Sequence, residues 1–213
     1  LEGRVRQSFL KDRDIRVVYN GIDVDAIFRP TDGNDLLVKY GLMNKKIALA
    51  VAPDIMSERK GGQWILELAQ RFDDSYSFII VGVTAPIKNL PPNVVAISKT
   101  NSQIELAKFY SIADVLLLTS QKETFSLVTA ESLACGTPVI GFDSGAPVEV
   151  APTGYGHFVP YGRIDLLAQA VNNFFDGKLE MYDSNSCREF ACKNYSNRTM
   201  YRDFLSIYKE TSK

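Results

Sequence analysis

Apolar positions along the chain follow two rhythms. Short, nearly unbroken apolar and β-branched runs fall at residues 15–19, 46–51, 77–81, 93–97, 114–118, 137–141 and 157–159. Runs that do not alternate with polar residues mark strands covered on both faces. Between them, apolar residues recur at helical spacing. Residues 61–72 place Trp64, Ile65, Leu68, Ala69 and Phe72 on one stripe, and residues 103–112 do the same with Leu106, Ala107 and Tyr110. A helix over 126–135 closes on Gly136, with Pro138 two positions further on. Helices are also predicted over 163–175, 183–194 and 198–209, and 4–10 reads as the end of a helix. The polar stretch 20–35, opened by Asn20-Gly21, reads as turns.

Strand and helix alternate from about residue 46 to residue 175. That order predicts an α/β fold: a Rossmann-like parallel sheet flanked by helices on both faces. Ligands of such sheets bind beyond the carboxyl ends of the strands. The loops to search are therefore 52–60, 82–89, 98–102, 119–124 and 142–149.

Composition removes several function classes. With 24 Lys and Arg against 25 Asp and Glu, the net charge of −1 lacks the basic excess of a general nucleic-acid binder. No apolar run approaches the ~20 residues that cross a bilayer, and no secretory signal opens the chain. The first residue is Leu1 rather than Met, so a piece of a longer protein is expected. Cys135, Cys187 and Cys192 lack CxxC spacing, which argues against a zinc site or disulfide framework and for a reducing cytosol. His157 is the single histidine and there is no GxSxG elbow, so metallohydrolase and serine-hydrolase chemistry have little to work with.

Two elements carry candidate chemistry. The first is Glu123-Thr-Phe-Ser-Leu-Val-Thr-Ala-Glu131, with carboxylates eight positions apart. On a helix, Glu131 is surrounded by Leu127, Val128, Ala134 and Cys135, all apolar. A carboxylate on such a face needs a basic side chain or a ligand's hydroxyls as partner. Glu123 stands before the helix, where the N–H groups of Phe125, Ser126 and Leu127 are available to an anionic or polyhydroxyl ligand. The plainer alternatives are a helix-dipole charge for Glu123 and a structural ion pair for Glu131. The second element is Ser57-Glu-Arg-Lys-Gly-Gly62. Arg59 and Lys60 beside Gly61 and Gly62, at a helix N-terminus, suit a diphosphate; the spacing is not that of a Walker A loop. Asp12/Asp14 and Asp23/Asp25 form two Asp-x-Asp strings of the kind that can hold a divalent metal, but neither follows a strand end.

Taken together, the motifs resemble one family. Glu123-x7-Glu131, Ala134-Cys-Gly-Thr-Pro-Val-Ile140 and Gly145-Ala-Pro-Val-Glu149 resemble the signature of retaining GT-B glycosyltransferases of the GT4 type. Val18-Tyr-Asn-Gly-Ile-Asp23, Phe28-Arg-Pro30, the Arg59-Lys-Gly61 loop and Ala113-Asp-Val-Leu-Leu-Leu-Thr-Ser120 fit in the same order, over about residues 4–208. The resemblance implies one half of a GT-B fold, the C-terminal, donor-binding half. Residues 1–213 would form a single nucleotide-sugar-binding domain, with 1–12 a remnant of the interdomain region and 180–213 C-terminal helices. The N-terminal acceptor domain would be absent.

The resemblance also implies roles. Lys60 and Arg59 would neutralise the diphosphate, and Glu123 would meet hydroxyls of the donor sugar. The N–H groups of Phe125, Ser126 and Leu127 would hold sugar or phosphate, and Glu131 would accept from the ribose hydroxyls. Lys99, in the 97–100 loop, would frame the base, while Gly82 and Gly61 would allow close approach. Three positions depart from the family pattern: Thr124 and Ala146 stand where glycine is usual, and Ala52-Pro53 where Gly-Arg is usual.

The implied activity is transfer of a hexose-type sugar from a UDP- or GDP-sugar to a hydroxyl acceptor in glycan or polysaccharide biosynthesis, without a metal or cofactor. A glycan or lipid-linked acceptor would meet the absent domain. The expected place is the cytoplasm, with peripheral attachment to the inner membrane surface open to the full-length protein. The alternatives are a nucleotide-sugar epimerase on the same architecture, or a non-catalytic interaction module with a degenerate pocket.

Overall fold

A computed structural model describes residues 2–211 of the chain, so Leu1 and the last two residues of the expected 1–213 domain lie outside the described residues. Six strands among them form one sheet: β1 (Lys46–Val51), β2 (Tyr76–Val81), β3 (Val94–Ile97), β4 (Val115–Leu118), β5 (Val139–Phe142) and β6 (Gly156–Val159). The strand order is β3-β2-β1-β4-β5-β6, and every neighbouring pair runs parallel. The helices are α1 (Glu2–Arg6), α2 (Asn34–Lys39), α3 (Gly62–Ala69), α4 (Gln103–Ile112), α5 (Leu127–Ala134), α6 (Ala146–Val150), α7 (Ile164–Phe175), α8 (Ser184–Tyr195) and α9 (Asn197–Thr211).

The unbroken apolar runs are explained by the two faces of the sheet. Successive side chains point to opposite sides. Ile47 and Leu49 therefore join Ile79, Val81, Leu116 and Leu118 in one core, with Phe109 and Tyr110 of α4, Leu133 of α5 and Cys187 of α8. Ala48 and Ala50 join Phe78, Ile80, Val115 and Leu117 in a second core, with Ile65 and Leu68 of α3 and Leu167 and Val171 of α7. This is the expected Rossmann-like arrangement.

Helix ends follow the residues available to cap them. Ser102 accepts the N–H of Glu105 at the start of α4, at 3.1 Å. At the end of α5, Gly136 takes φ 92° while the N–H of Thr137 donates to the carbonyl of Ser132, satisfying one of the last free carbonyls.

Three local expectations change. Residues 15–19 form no strand: Val17 and Tyr19 are exposed, and the Tyr19 ring packs on Phe125 and Tyr195, each at 5.8 Å. The apolar residues there cover neighbouring side chains rather than pairing in the sheet. Within the stretch read as turns, α2 begins at Asn34 and buries Leu36. Within the loop after β5, Pro147 sits at the start of α6, where its fixed φ and missing N–H are tolerated.

α8 packs Cys187, Ala191 and Tyr195 into the body, and the Tyr195 hydroxyl donates to the Val150 carbonyl at 2.8 Å. The Arg188 guanidinium donates to the carbonyls of Phe28 (3.0 Å), Ala134 (2.8 Å) and Val24 (2.9 Å).

Candidate functional site

β1 is paired with β2 on one side and β4 on the other, so the chain reverses its direction of travel across the sheet between β1 and β4. A crevice is expected beyond the strand ends at such a switch point. A cavity of about 730 Å³ lies there. It is lined by the loops after β1, β2, β3 and β4 and by the first turns of α5, with Asn20 and Leu106 added from elsewhere. Of the residues singled out from sequence, Lys60, Gly82, Lys99, Glu123, Phe125, Ser126, Leu127 and Glu131 meet in this one space. Arg59 and Gly61 are not in its lining.

The loop before α3 explains that division. Gly61 takes φ 72°, and a Cβ there would stand 2.4 Å from the carbonyl oxygen of Thr119. Its glycine thus serves the close packing of the β1 and β4 loops, not the approach of a ligand. The Arg59 carbonyl accepts the N–H of Gln121 at 2.8 Å, while its side chain is exposed. Lys60 is turned inward. Its Nζ meets Glu123 Oε1 at 2.7 Å, with the two side chains only 17% and 13% exposed. The two charges that were expected to serve different parts of a ligand are bound to each other.

The protein partner of Glu131 is neither of the two expected from sequence but a tyrosine hydroxyl. Glu131 Oε2 accepts from the hydroxyl of Tyr110 at 2.9 Å. No cation pairs with it among the described residues, and Oε1 has no protein donor there. Burial pushes its carboxyl above the ordinary carboxylate range, and the Tyr110 hydrogen bond partly offsets this. Burial beside this carboxylate in turn drives the Tyr110 phenol well above its usual value.

The N-terminus of α5 is open. Its N-cap, Ser126, takes φ 75° and ψ 78°, an uncommon region for a residue with a Cβ. The Ser126 hydroxyl is engaged with that of Thr129 at 2.8 Å and does not cap the helix. The N–H groups of Phe125, Ser126 and Leu127 have no protein acceptor among the described residues. The three residues line the cavity, at the positive dipole end of a helix. Asp54, at φ 50°, is a second strained lining residue, and its carboxylate accepts from Thr84 at 2.9 Å.

Gly82 lines the cavity, but its glycine has an internal cause. At φ 102°, a Cβ would fall 1.7 Å from the Ala52 carbonyl oxygen. The N–H groups of Gly82 and Val83 both donate to Ile97, fixing the floor between the β2 and β3 ends. Lys99 is exposed at the rim. Tyr110, Asp54, Thr84 and Asn20 were not selected from sequence. Tyr110 carries no signal beyond an apolar helix stripe, whereas Asn20 lies inside the Val18–Asp23 motif.

Other candidates fall elsewhere. Asp14 pairs with Arg16 at 2.8 Å, and Asp23 Oδ1 accepts the N–H groups of Asp25 and Ala26, so both Asp-x-Asp strings have local duties. No three His, Cys, Asp or Glu side chains gather as a metal cluster among the described residues. His157 lies on β6, away from the cavity lining. Burial pushes the Cys135 and Cys187 thiols up to about 12, in keeping with packing residues. No helix among the described residues is long and apolar enough to cross a membrane.

The fold and cavity together define a Rossmann-like domain with a crevice at its switch point. The chain belongs to the glycosyl transferases group 1 family, which its residues 39–193 match. It is 26% identical over 209 residues to N-acetyl-alpha-D-glucosaminyl L-malate synthase of Bacillus anthracis, covering 92% of this chain and 54% of that protein. It is 29% identical over 177 residues to D-inositol 3-phosphate glycosyltransferase of Mycobacteroides abscessus, covering 74% of this chain and 38% of that one. The chain thus spans about half the length, or less, of these curated relatives. Its fold matches a crystal structure of Anabaena Alr3699/HepE in complex with UDP and glucose, with a TM-score of 0.78 at 19% identity, over 91% of this chain and 56% of that one.

Proposed function

We propose that this chain is the donor-binding half of a retaining glycosyltransferase that moves a hexose-type sugar from a UDP- or GDP-sugar to a hydroxyl acceptor. The observation that carries the reading is Glu131: a largely buried carboxylate with no cation partner among the described residues and one oxygen without a protein donor there, lining a cavity that also holds Lys60 and the open N-terminus of α5. Hydroxyl donors are the complement of that oxygen, and a ribose supplies two side by side. The α5 N–H groups and Lys60 suit a diphosphate. Glu123, at the same mouth, suits the hydroxyls of the attached sugar. The loop over 97–100, with Lys99, lies where the base would rest.

In this reading the leaving diphosphate gains charge as the glycosidic bond breaks. Preorganised N–H dipoles and Lys60 stabilise that charge more than the ground state, which is what lowers a barrier. They supply the role a divalent metal has elsewhere, so donor binding is proposed to be metal-independent. Arg59, exposed beside the loop, is assigned a long-range electrostatic part only. The acceptor, glycan or lipid-linked, is proposed to meet a further domain of the whole protein.

The alternatives fare less well on the same geometry. A degenerate module would hold Glu131 against an internal Lys or Arg with the crevice shut; instead Tyr110 holds it and the cavity is open. An epimerase on this architecture would draw on histidine at the cleft, and His157 is outside it.

Calorimetric titration of the chain with UDP, GDP and ADP, with and without EDTA, tests the proposal. One of the three is expected to bind, unaffected by EDTA. Lys60→Ala and Glu131→Ala are each expected to weaken it by about tenfold or more. Absence of binding to all three and to UDP-glucose and GDP-mannose, or loss of binding in EDTA, contradicts it.

A further inference from the structure

The cavity lining carries three carboxylates, Asp54, Glu123 and Glu131, against two ammonium groups, Lys60 and Lys99. One of those two cations is already committed, since Lys60 Nζ is held by Glu123 at 2.7 Å. Both backbones are anchored. The Lys60 N–H donates to Ser57, and the Lys60 carbonyl accepts from Thr119 Oγ1 at 3.2 Å. The Glu123 N–H donates to Ser144 at 3.1 Å, and Glu123 bridges to Gly145. The pair can therefore open by rotation of the two side chains, without movement of either loop.

From this geometry we infer that the Lys60–Glu123 pair is a selectivity device that favours a sugar-bearing diphosphate over the bare nucleoside diphosphate. The inference rests on the donor-site reading above. An incoming diphosphate competes with Glu123 for Lys60. If Lys60 turns to the phosphates, Glu123 is left as a largely buried carboxylate beside added negative charge, which is unfavourable unless donors replace the lysine. Sugar hydroxyls on the far side of the diphosphate are such donors. A bare nucleoside diphosphate has none on that side, since its ribose hydroxyls lie toward Glu131, so it binds against the pair. After transfer the sugar is gone, Glu123 reclaims Lys60, and the spent nucleotide is displaced. The same pair thus serves donor choice and product release.

The test compares UDP with UDP-glucose, and GDP with GDP-mannose, by calorimetry on the unsubstituted chain and on Glu123→Ala and Glu123→Gln. Melting temperatures identify any variant that fails to fold. Removing a charged partner of this burial is expected to tighten bare diphosphate binding by about fivefold or more. Nucleotide-sugar affinity stays level or falls, so the preference for the sugar-bearing form collapses in Glu123→Ala. The neutral but hydrogen-bonding Glu123→Gln falls between. Failure of the unsubstituted chain to bind any of the four probes overturns the donor-site reading itself, and the exchange with it. Binding by that chain with an unchanged preference in both folded variants, or weaker bare diphosphate binding in them, overturns the exchange alone.

Discussion

Glu131 is ionisable where burial opposes ionisation, and this makes it a probe of the site without any ligand. Its folded-state pKa is raised above the unfolded value. Such a group favours the fold fully below its unfolded pKa, and that contribution is lost as pH rises through the folded pKa. The ionised carboxylate therefore works against stability at neutral pH. Glu131→Gln removes the charge and keeps the shape. Its melting temperature is expected to match the unsubstituted chain near about pH 4 and to exceed it increasingly toward about pH 7. A constant difference across that range contradicts the assignment. Gly82 supplies the opposite kind of probe. Gly82→Ala puts a methyl 1.7 Å from the Ala52 carbonyl oxygen at a φ of 102°. A loss of at least about 3 kcal/mol is expected in urea unfolding. At this scale the sequence disclosed chemistry better than contacts. The apolar neighbours of Glu131 announced a charge in need of a partner, but nothing announced Tyr110. Lys60 and Glu123 were legible as site charges, yet they lie 63 positions apart, so their pairing awaited the fold.

Among elements, α8 draws its densest polar anchoring from Arg188. Arg188 satisfies three carbonyls, those of Val24, Phe28 and Ala134 at the end of α5. Arg188→Ala leaves them without a donor, and a loss of roughly 2–4 kcal/mol is expected in the urea midpoint. Arg188→Lys, a point donor without the planar fork, is expected to recover only part of it. A change below about 0.5 kcal/mol for Arg188→Ala contradicts the anchoring role. Elements with a strong period were readable from the chain. β1 and α4 occupy the predicted 46–51 and 103–112, because a doubly covered strand and a capped helix both leave clear signals. Residues 15–19 looked like a strand for the same reason, an apolar β-branched run, but the sheet offers them no partner. The five-residue α6 has too few turns to show a period, so only the fold reveals it.

For the molecule as a whole, the strand order decides where a ligand can sit. Loops from β1, β2, β3 and β4 are scattered over about 80 residues of sequence, and the parallel sheet delivers all of them to one end. The charge of the whole chain, −1, says nothing of this; the local balance of Lys60, Lys99 and the α5 dipole against three carboxylates does. Alternation of strands and helices made the architecture legible early, and the position of the crevice followed from it. The division of labour inside the crevice did not, because Arg59 and Gly61 belong to the same short motif as Lys60 and yet face other tasks.

Amide chemical-shift mapping of the 15N-labelled chain, titrated with UDP-glucose and GDP-mannose, addresses the site most directly. Saturable shifts are expected at Phe125, Ser126 and Leu127, with a second group at Gly82 and Lys99, and little change at the opposite end of the sheet around Tyr40 and Asn93. Shifts centred away from the α5 N-terminus, or none with either nucleotide sugar, would contradict the placement of a donor in this cavity.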